Sequence, residues 1–318
     1  MKFILKIALL AFALFLTFIT KAMVIFEKDD NRDHAIFSEH HRNTSESVLS
    51  LLSYDFLTPK IIQLDPKLRE VSGLSYNPES NTIFTHNDEK GHVYEINKTD
   101  GHIQNDFKFG ESHDYEGIAT VGKNIVITQN NGTLHFYDPK KNKTEIVNTL
   151  LSKKNNVEGL CLNSDGKLLL MACKGEILNE DLEKKSTKEI YAYNIAKKEV
   201  LPKPYLQITR KQLMDNMEPR FKKMSEDDFK KHKSRIKEFS PSGIAIHPLS
   251  DDIYIISARG SLLAIFNKNL ELQSQIFLNK KKAPQPEGIC FDDKANLYIA
   301  TEGKKANGKI LKYQFKSN

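Results

Sequence analysis

The stretch "DYEGIAT", Asp114 to Thr120, sets an acidic residue and a glycine at the head of a short apolar run. The arrangement returns as "NVEGLCL" at Glu158-Gly159 and as "QPEGICF" at Glu287-Gly288. "EVSGLSY" and "SPSGIAI" carry Ser72-Gly73 and Ser242-Gly243 in the same place. One phrase therefore occurs five times, and three copies present a carboxylate. Its glycines are separated by 44 residues (73 to 117), 42 (117 to 159), 84 (159 to 243) and 45 (243 to 288). A strand-rich period of about 40–50 residues is the mark of β-propeller blades.

Each repeat unrolls in the same order. A strand follows the phrase, then a turn such as "NPESN" or "NSDGK", where Asn, Asp and Gly supply the required backbone conformations. A second strand ("TIFTHND", "IVITQN", "LLLMACK", "IYIISAR", "LYIATEG") and a third ("HVYEIN", "TLHFYD", "EIYAYN", "LLAIFN", "KILKYQF") complete the motif. Their apolar runs are nearly continuous, as expected of sheets covered on both faces. Fourth strands are visible in "IQNDFKF" and "ELQSQIFL". "PKIIQLDP", ahead of the first phrase, is expected to supply the outer strand of the last blade and close the ring. The expectation is an all-β, five-bladed β-propeller over residues 59–318. The 84-residue step leaves a sixth blade open.

That long step carries a lysine-rich insertion, residues 206–239, with a helix start at "SEDDF" capped by Ser225. It reads as a solvated helical excursion, a cap over the channel mouth, or a basic partner-docking surface. Residues 1–26 join Lys2 and Lys6 to an uncharged apolar run, the pattern of a signal peptide or signal anchor. Residues 27–58 form a polar linker, whose His34, His40 and His41 read as solvated residues. An exported protein of the periplasm or cell envelope follows, with membrane contact if the segment is retained.

Composition narrows the classes further. Apolar residues make up 39% and charged residues 28%, which suits a globular body with a well-charged surface. A net charge of +6 without aromatic–basic interleaving gives no nucleic-acid footprint. Cys161, Cys173 and Cys290 match no zinc spacing and no disulfide framework, and Cys161 and Cys290 hold equivalent strand positions as small core residues.

A residue just before the innermost strand of each blade projects towards one end of the channel. Glu116, Glu158 and Glu287 should therefore converge, and converging carboxylates repel unless a cation answers them. A hard cation such as Ca²⁺, which takes about six to eight oxygens, suits that set. Ser72 and Ser242 could complete the ring, and Asn87 and Asp88, at a second-strand end, are secondary ligands, with Asp88 alternatively shaping the "NDEKG" turn. Gln129 and Glu302 end second strands in the same way. In the competing reading the glutamates cap backbone N–H groups or pair with Lys174 and Arg259. The glycine after each acid would let the backbone turn tightly into the strand.

"EVSGLSY", "THNDEKGHVYEIN", "DYEGIA", "VEGL", "SPSGIAIHP", "PEGICF" and "LYIATEGK", in this order and spacing, resemble the SdiA-regulated family of secreted propeller proteins, from about Lys60 to the C-terminus. That family is distantly similar to NHL-repeat proteins. The resemblance implies a five-bladed propeller with a bound calcium ion, carried here by Glu116, Glu158 and Glu287, and brings no established reaction. Two functions stand open. One is a non-enzymatic envelope module that binds a small ligand or a protein partner, since no G-x-S-x-G or other nucleophile motif is present. The other is a calcium-dependent hydrolase of esters, lactones or phosphoesters, with His86 or His113 as base. A histidine sharing an open pocket with the glutamates would favour the second.

Overall fold

The computed structural model describes residues 53–178, 186–221 and 225–316. The N-terminal signal segment, most of the linker and its three histidines lie outside the described residues. Among the described residues no helix is long and apolar enough to cross a membrane.

Strand β1 (Lys60–Gln63) comes first in the chain but last in the ring. Blade I holds β2 (Val71–Asn77), β3 (Thr82–Asn87), β4 (His92–Ile96) and β5 (Ile103–Lys108). Blade II holds β6 (Tyr115–Val121), β7 (Asn124–Gln129), β8 (Leu134–Asp138) and β9 (Lys143–Val147). Blade III holds β10 (Val157–Leu162), β11 (Leu168–Cys173) and β12 (Thr187–Asn194). Its outer edge is shared by β13 (Glu199–Val200) and β14 (Leu206–Thr209), both paired to β12. Blade IV holds β15 (Pro241–Ile246), β16 (Ile253–Ser257), β17 (Leu262–Phe266) and β18 (Leu272–Phe277). Blade V holds β19 (Pro286–Phe291), β20 (Leu297–Thr301) and β21 (Lys309–Tyr313), completed by β1. All pairings are antiparallel, and Ile62 of β1 stands opposite Ile310 of β21. The inner strands touch in the cyclic order β2, β6, β10, β15, β19 and back to β2. Five blades close the ring, and the sixth left open by the long step is not formed.

Alternation explains why the strands are apolar on both faces. Successive side chains point to opposite faces of a sheet. In β16, Ile253 and Ile255 enter the core between blades III and IV, while Tyr254 and Ile256 enter the core between blades IV and V. Five such cores fill the five gaps between neighbouring blades.

Two boundaries differ from the sequence expectation. Residues 53–58, assigned to the polar linker, are part of the body. Tyr54 and Phe56 are buried in the core between blades IV and V, and the Tyr54 hydroxyl donates to the Ala295 carbonyl at 2.5 Å. The insertion begins with strand β14, so the helices occupy only α1 (Arg210–Phe221) and α2 (Glu226–Lys237). Ser225 caps α2 as expected, its Oγ accepting the Asp228 N–H at 3.2 Å. The helices are not a free excursion. Leu213, Met217, Ile236 and Phe239 are buried in the core between blades III and IV. The Gln275 side chain donates to the Leu213 carbonyl at 2.8 Å.

Candidate functional site

The repeated phrase has one structural consequence in every blade. Each inner strand carries a β-bulge there, between Val71 and Leu74, Tyr115 and Gly117, Val157 and Gly159, Pro241 and Gly243, and Pro286 and Gly288. Glu116, Glu158, Ser242 and Glu287 are the extra residues, and Ser72 lies within the longer irregularity of blade I. A bulge inserts an unpaired residue and re-aims its side chain. So the acidic position is turned out of the sheet register in each blade where it occurs.

The glycines do a different job from the one expected. None of the five has positive φ, and each stands where the neighbouring inner strand passes. A Cβ on Gly117 would lie 2.7 Å from the Leu160 nitrogen, and one on Gly243 would lie 2.6 Å from the Glu287 carbonyl oxygen. The missing side chains let five backbones meet at the axis. Leu74, Ile118, Leu160, Ile244 and Ile289 then plug it, leaving a void of about 10 Å³. That is at the lower limit for a single water molecule. The propeller is thus stoppered at this level.

Glu116, Glu158 and Glu287 come together at that mouth. Glu158 and Glu287 are buried and Glu116 is half-buried. Burial chiefly, then Glu158, Asp114 and Glu287, holds the Glu116 carboxyl well above the usual carboxylate range. Burial also raises Glu158, against the pull of Lys174. Burial, then Glu158, pushes Glu287 up to about 8. Among the described residues one cation pairs with them: Lys174 Nζ sits 2.9 Å from Glu158 Oε1. Burial opposes its charge, yet Glu158, with Glu287 and Glu116, holds that ammonium above its ordinary value. Asn156 Nδ2 also donates to Glu158 Oε1 at 2.7 Å. The pairing anticipated for Lys174 is therefore formed at Glu158, whereas Arg259 forms no ion pair with the glutamates among the described residues.

A second acidic group adjoins the first. Burial, then Glu70 and Glu89, raises Asp88 to about 6, and its buried Oδ1 lacks a hydrogen-bond partner. Burial, then Asp88 and Glu70, raises Glu302 to about 7. Asn87 plays the turn role, its Oδ1 accepting the Glu89 N–H at 3.0 Å. Ser72 and Ser242 staple neighbouring blades: Ser72 Oγ donates to the Glu116 carbonyl at 3.0 Å, and Ser242 Oγ to the Pro286 carbonyl at 2.7 Å. Gln129 is engaged within blade II, 2.8 Å from His135 Nε2. Among the described residues no three His, Cys, Asp or Glu side chains form a ready metal-ligand cluster.

Neither candidate base lines the axial void that Glu158 and Glu287 border. His86 is fully enclosed, its Nε2 lacks a well-formed hydrogen bond, and burial lowers it to about 4. It packs where a Gly73 Cβ would otherwise stand. His113 is exposed and meets the edge of Tyr115.

Sequence reasoning missed Glu70 and Asp114 as electrostatic neighbours. It also missed the gathering of Lys188, Arg210 and Lys237 beside Lys174 and Arg259 around a cavity of about 380 Å³. These residues come from β12, from the start of α1 and from the end of α2, and no spacing pattern joins them.

Comparison finds similarity to known proteins at the level of fold and family. Among solved structures, the chain is similar to the glutaminyl cyclase of Myxococcus xanthus, with a TM-score of 0.51, 8% identity, and coverage of 80% of this chain and 94% of that one. It is also similar to a chain of a nidogen/laminin complex, with a TM-score of 0.46, 12% identity, and coverage of 73% and 72%. A third is virginiamycin B lyase from Staphylococcus aureus, with a TM-score of 0.42, 13% identity, and coverage of 77% and 66%. At these identities the likeness concerns fold alone. No curated protein matches the sequence. The profile of the SdiA-regulated family matches residues 54–154 and 184–305, most of the described propeller, and the chain belongs to that family.

Proposed function

We propose that this chain is an exported, cell-envelope β-propeller that binds a calcium ion at its acidic mouth and serves there as a ligand- or protein-binding module. One observation carries the reading: three bulge-directed glutamates converge, largely buried, on a single lysine. Their donor chemistry fits a hard cation, because every candidate ligand is an oxygen and Asp88 adds a buried oxygen without a partner. Glu116, Glu158 and Glu287 would hold the ion, with Asp88 beside them. Gathering them needs side-chain rotation, which half-buried Glu116 can make, since its carboxylate is met by Ser72 only at 3.4 Å. The cation would supply the positive charge that one lysine does not. His86 has no route to solvent here, so nothing in the site favours the hydrolytic alternative.

Metal content and thermal unfolding of the full chain, with calcium and with chelator, test this reading. For an ion bound only by the folded state, saturation at 100 times Kd adds about 2.7 kcal/mol. That gain is expected to vanish in the Glu116→Gln/Glu158→Gln/Glu287→Gln variant. Absence of bound metal and of any thermal shift would remove the proposal.

The same carboxyls make a pH prediction for the metal-free protein. Glu287 is held near 8, above its ordinary 4.5, so the native state binds the extra proton between those values. Stability from this group is therefore greatest at the acid end of that window and declines as pH rises through about 8. Its slope is at most about 1.4 kcal/mol per pH unit. Glu287→Gln is expected to flatten the decline of the urea midpoint between pH 5 and 8. An unaltered profile would contradict the burial argument.

A further inference from the structure

We propose that the cavity between blade III and the helical insertion is a binding site for a small phosphoryl-bearing anion. Its volume, about 380 Å³, falls in the range of small-molecule sites. Lys174, Lys188, Arg210, Lys237 and Arg259 line it, and among the described residues Glu238 is the only acid on its wall. Lys174 is committed to Glu158. Among the described residues Lys188, Arg210, Lys237 and Arg259 form no ion pair with a carboxylate. Setting Lys174 against Glu158 and one further cation against Glu238 still leaves three positive charges in the cavity.

Lys188 is tied to the cavity wall, and Arg210 and Lys237 stand on elements fixed to the body. Lys188 Nζ donates to the Lys174 carbonyl and, at 3.2 Å, to the Gly175 carbonyl, which fixes the ammonium at the wall. Burial, then Arg210 and Arg259, lowers the Lys188 pKa, so like charges press on one another there. Arg210 is anchored at the join of β14 and α1, its N–H donating to the Ser186 carbonyl at 2.9 Å. Lys237 is set by α2, which the buried side chains of Arg235 and Ile236 clamp to the body. Guanidinium forks and ammonium points suit the several acceptor oxygens and the roughly double charge of a phosphate ester. A carboxylate would leave much of this charge unmatched. The site adjoins the acidic mouth through Lys174 and Asn156 but uses none of the glutamates.

Titration calorimetry of the full chain with inorganic pyrophosphate tests the site, in 150 mM NaCl and EDTA so that metal at the mouth contributes nothing. Saturable binding is expected, and Arg210→Gln/Arg259→Gln should weaken it at least tenfold without moving the ligand-free thermal midpoint. If that double variant is unstable, Lys237→Gln, on an exposed side chain, should still weaken binding several-fold. Lack of pyrophosphate binding, or wild-type binding in the variants, would overturn the assignment. So would sulfate binding with equal affinity in the same buffer, the behaviour of an adventitious ion only.

Discussion

Gly117→Ala is expected to unfold this protein far more readily than an alanine placed at an open turn such as that of Gly166. The added methyl would meet the Leu160 nitrogen at 2.7 Å, Leu160 Cβ at 2.8 Å and the Gly159 carbonyl carbon at 2.9 Å. These are parts of the adjacent inner strand, not the tips of flexible side chains, so relief requires the ring of strands to open. Overpacking a well-filled interior typically costs about 1–3 kcal/mol, occasionally more. A site closed by backbone should lie at or above the top of that range, about 3 kcal/mol. Gly166 provides the contrast. It sits at φ +73° with nothing within 4 Å of an added Cβ, so alanine there meets only conformational strain, about 1–2 kcal/mol. Urea unfolding of the two variants separates the cases. Equal losses would mean that the phrase glycines are chosen for backbone freedom and not for close approach.

Arg235→Ala carries the second large effect. The guanidinium is buried under the insertion, where Nε donates to the Gly260 carbonyl at 2.7 Å and an Nη donates to Ser261 at 2.6 Å and to Leu278 at 2.8 Å. It also lies over the Phe277 ring, 4.8 Å from its centroid, while His232 meets the same ring at 4.3 Å. Gly260 leaves room for α2, since a Cβ there would stand 2.7 Å from the Arg235 carbonyl oxygen. Truncation strands the buried Gly260 and Leu278 carbonyls, each worth about 1–3 kcal/mol when left unmade, whereas Ser261 keeps the Leu278 N–H at 2.8 Å. A loss of about 3–5 kcal/mol follows, in line with other broken buried charge contacts. Arg235→Lys should recover only part of it, because one ammonium cannot reproduce the planar fork. Full stability in the lysine variant would show that charge alone, not geometry, docks the insertion. The consequence reaches the basic cavity, because Lys237 follows on the same helix.

The propeller was legible because its signals are local and repeated. Turn residues, apolar runs and the spacing of the phrase recur in chain order, and "PKIIQLDP" could be placed as the closing strand because an unpaired edge needs a partner. The convergence of Glu116, Glu158 and Glu287 was legible for the same reason, since equivalent positions in a closed ring must share one end. The linker boundary failed because Tyr54 and Phe56 are two apolar residues in a polar context, and only the gap between blades IV and V gives them a core. The insertion boundary failed because "LQIT" is too short to read as a strand until β12 is beside it.

By itself, then, the sequence determined the propeller architecture, the order of strands within a blade and the acidic character of one mouth, all of which follow from periodicity along the chain, while ring closure decided five blades over six. Only the tertiary structure decided which charges answer one another. Lys174 meets Glu158, Arg259 turns instead to the basic cavity, His86 is sealed beneath Gly73, and Ser72 and Ser242 are spent between blades. The physical reason is that charge pairing and burial depend on distances of a few ångströms between segments far apart in the chain. Ring closure and the docking of α1 and α2 set those distances, and no spacing within a repeat encodes them.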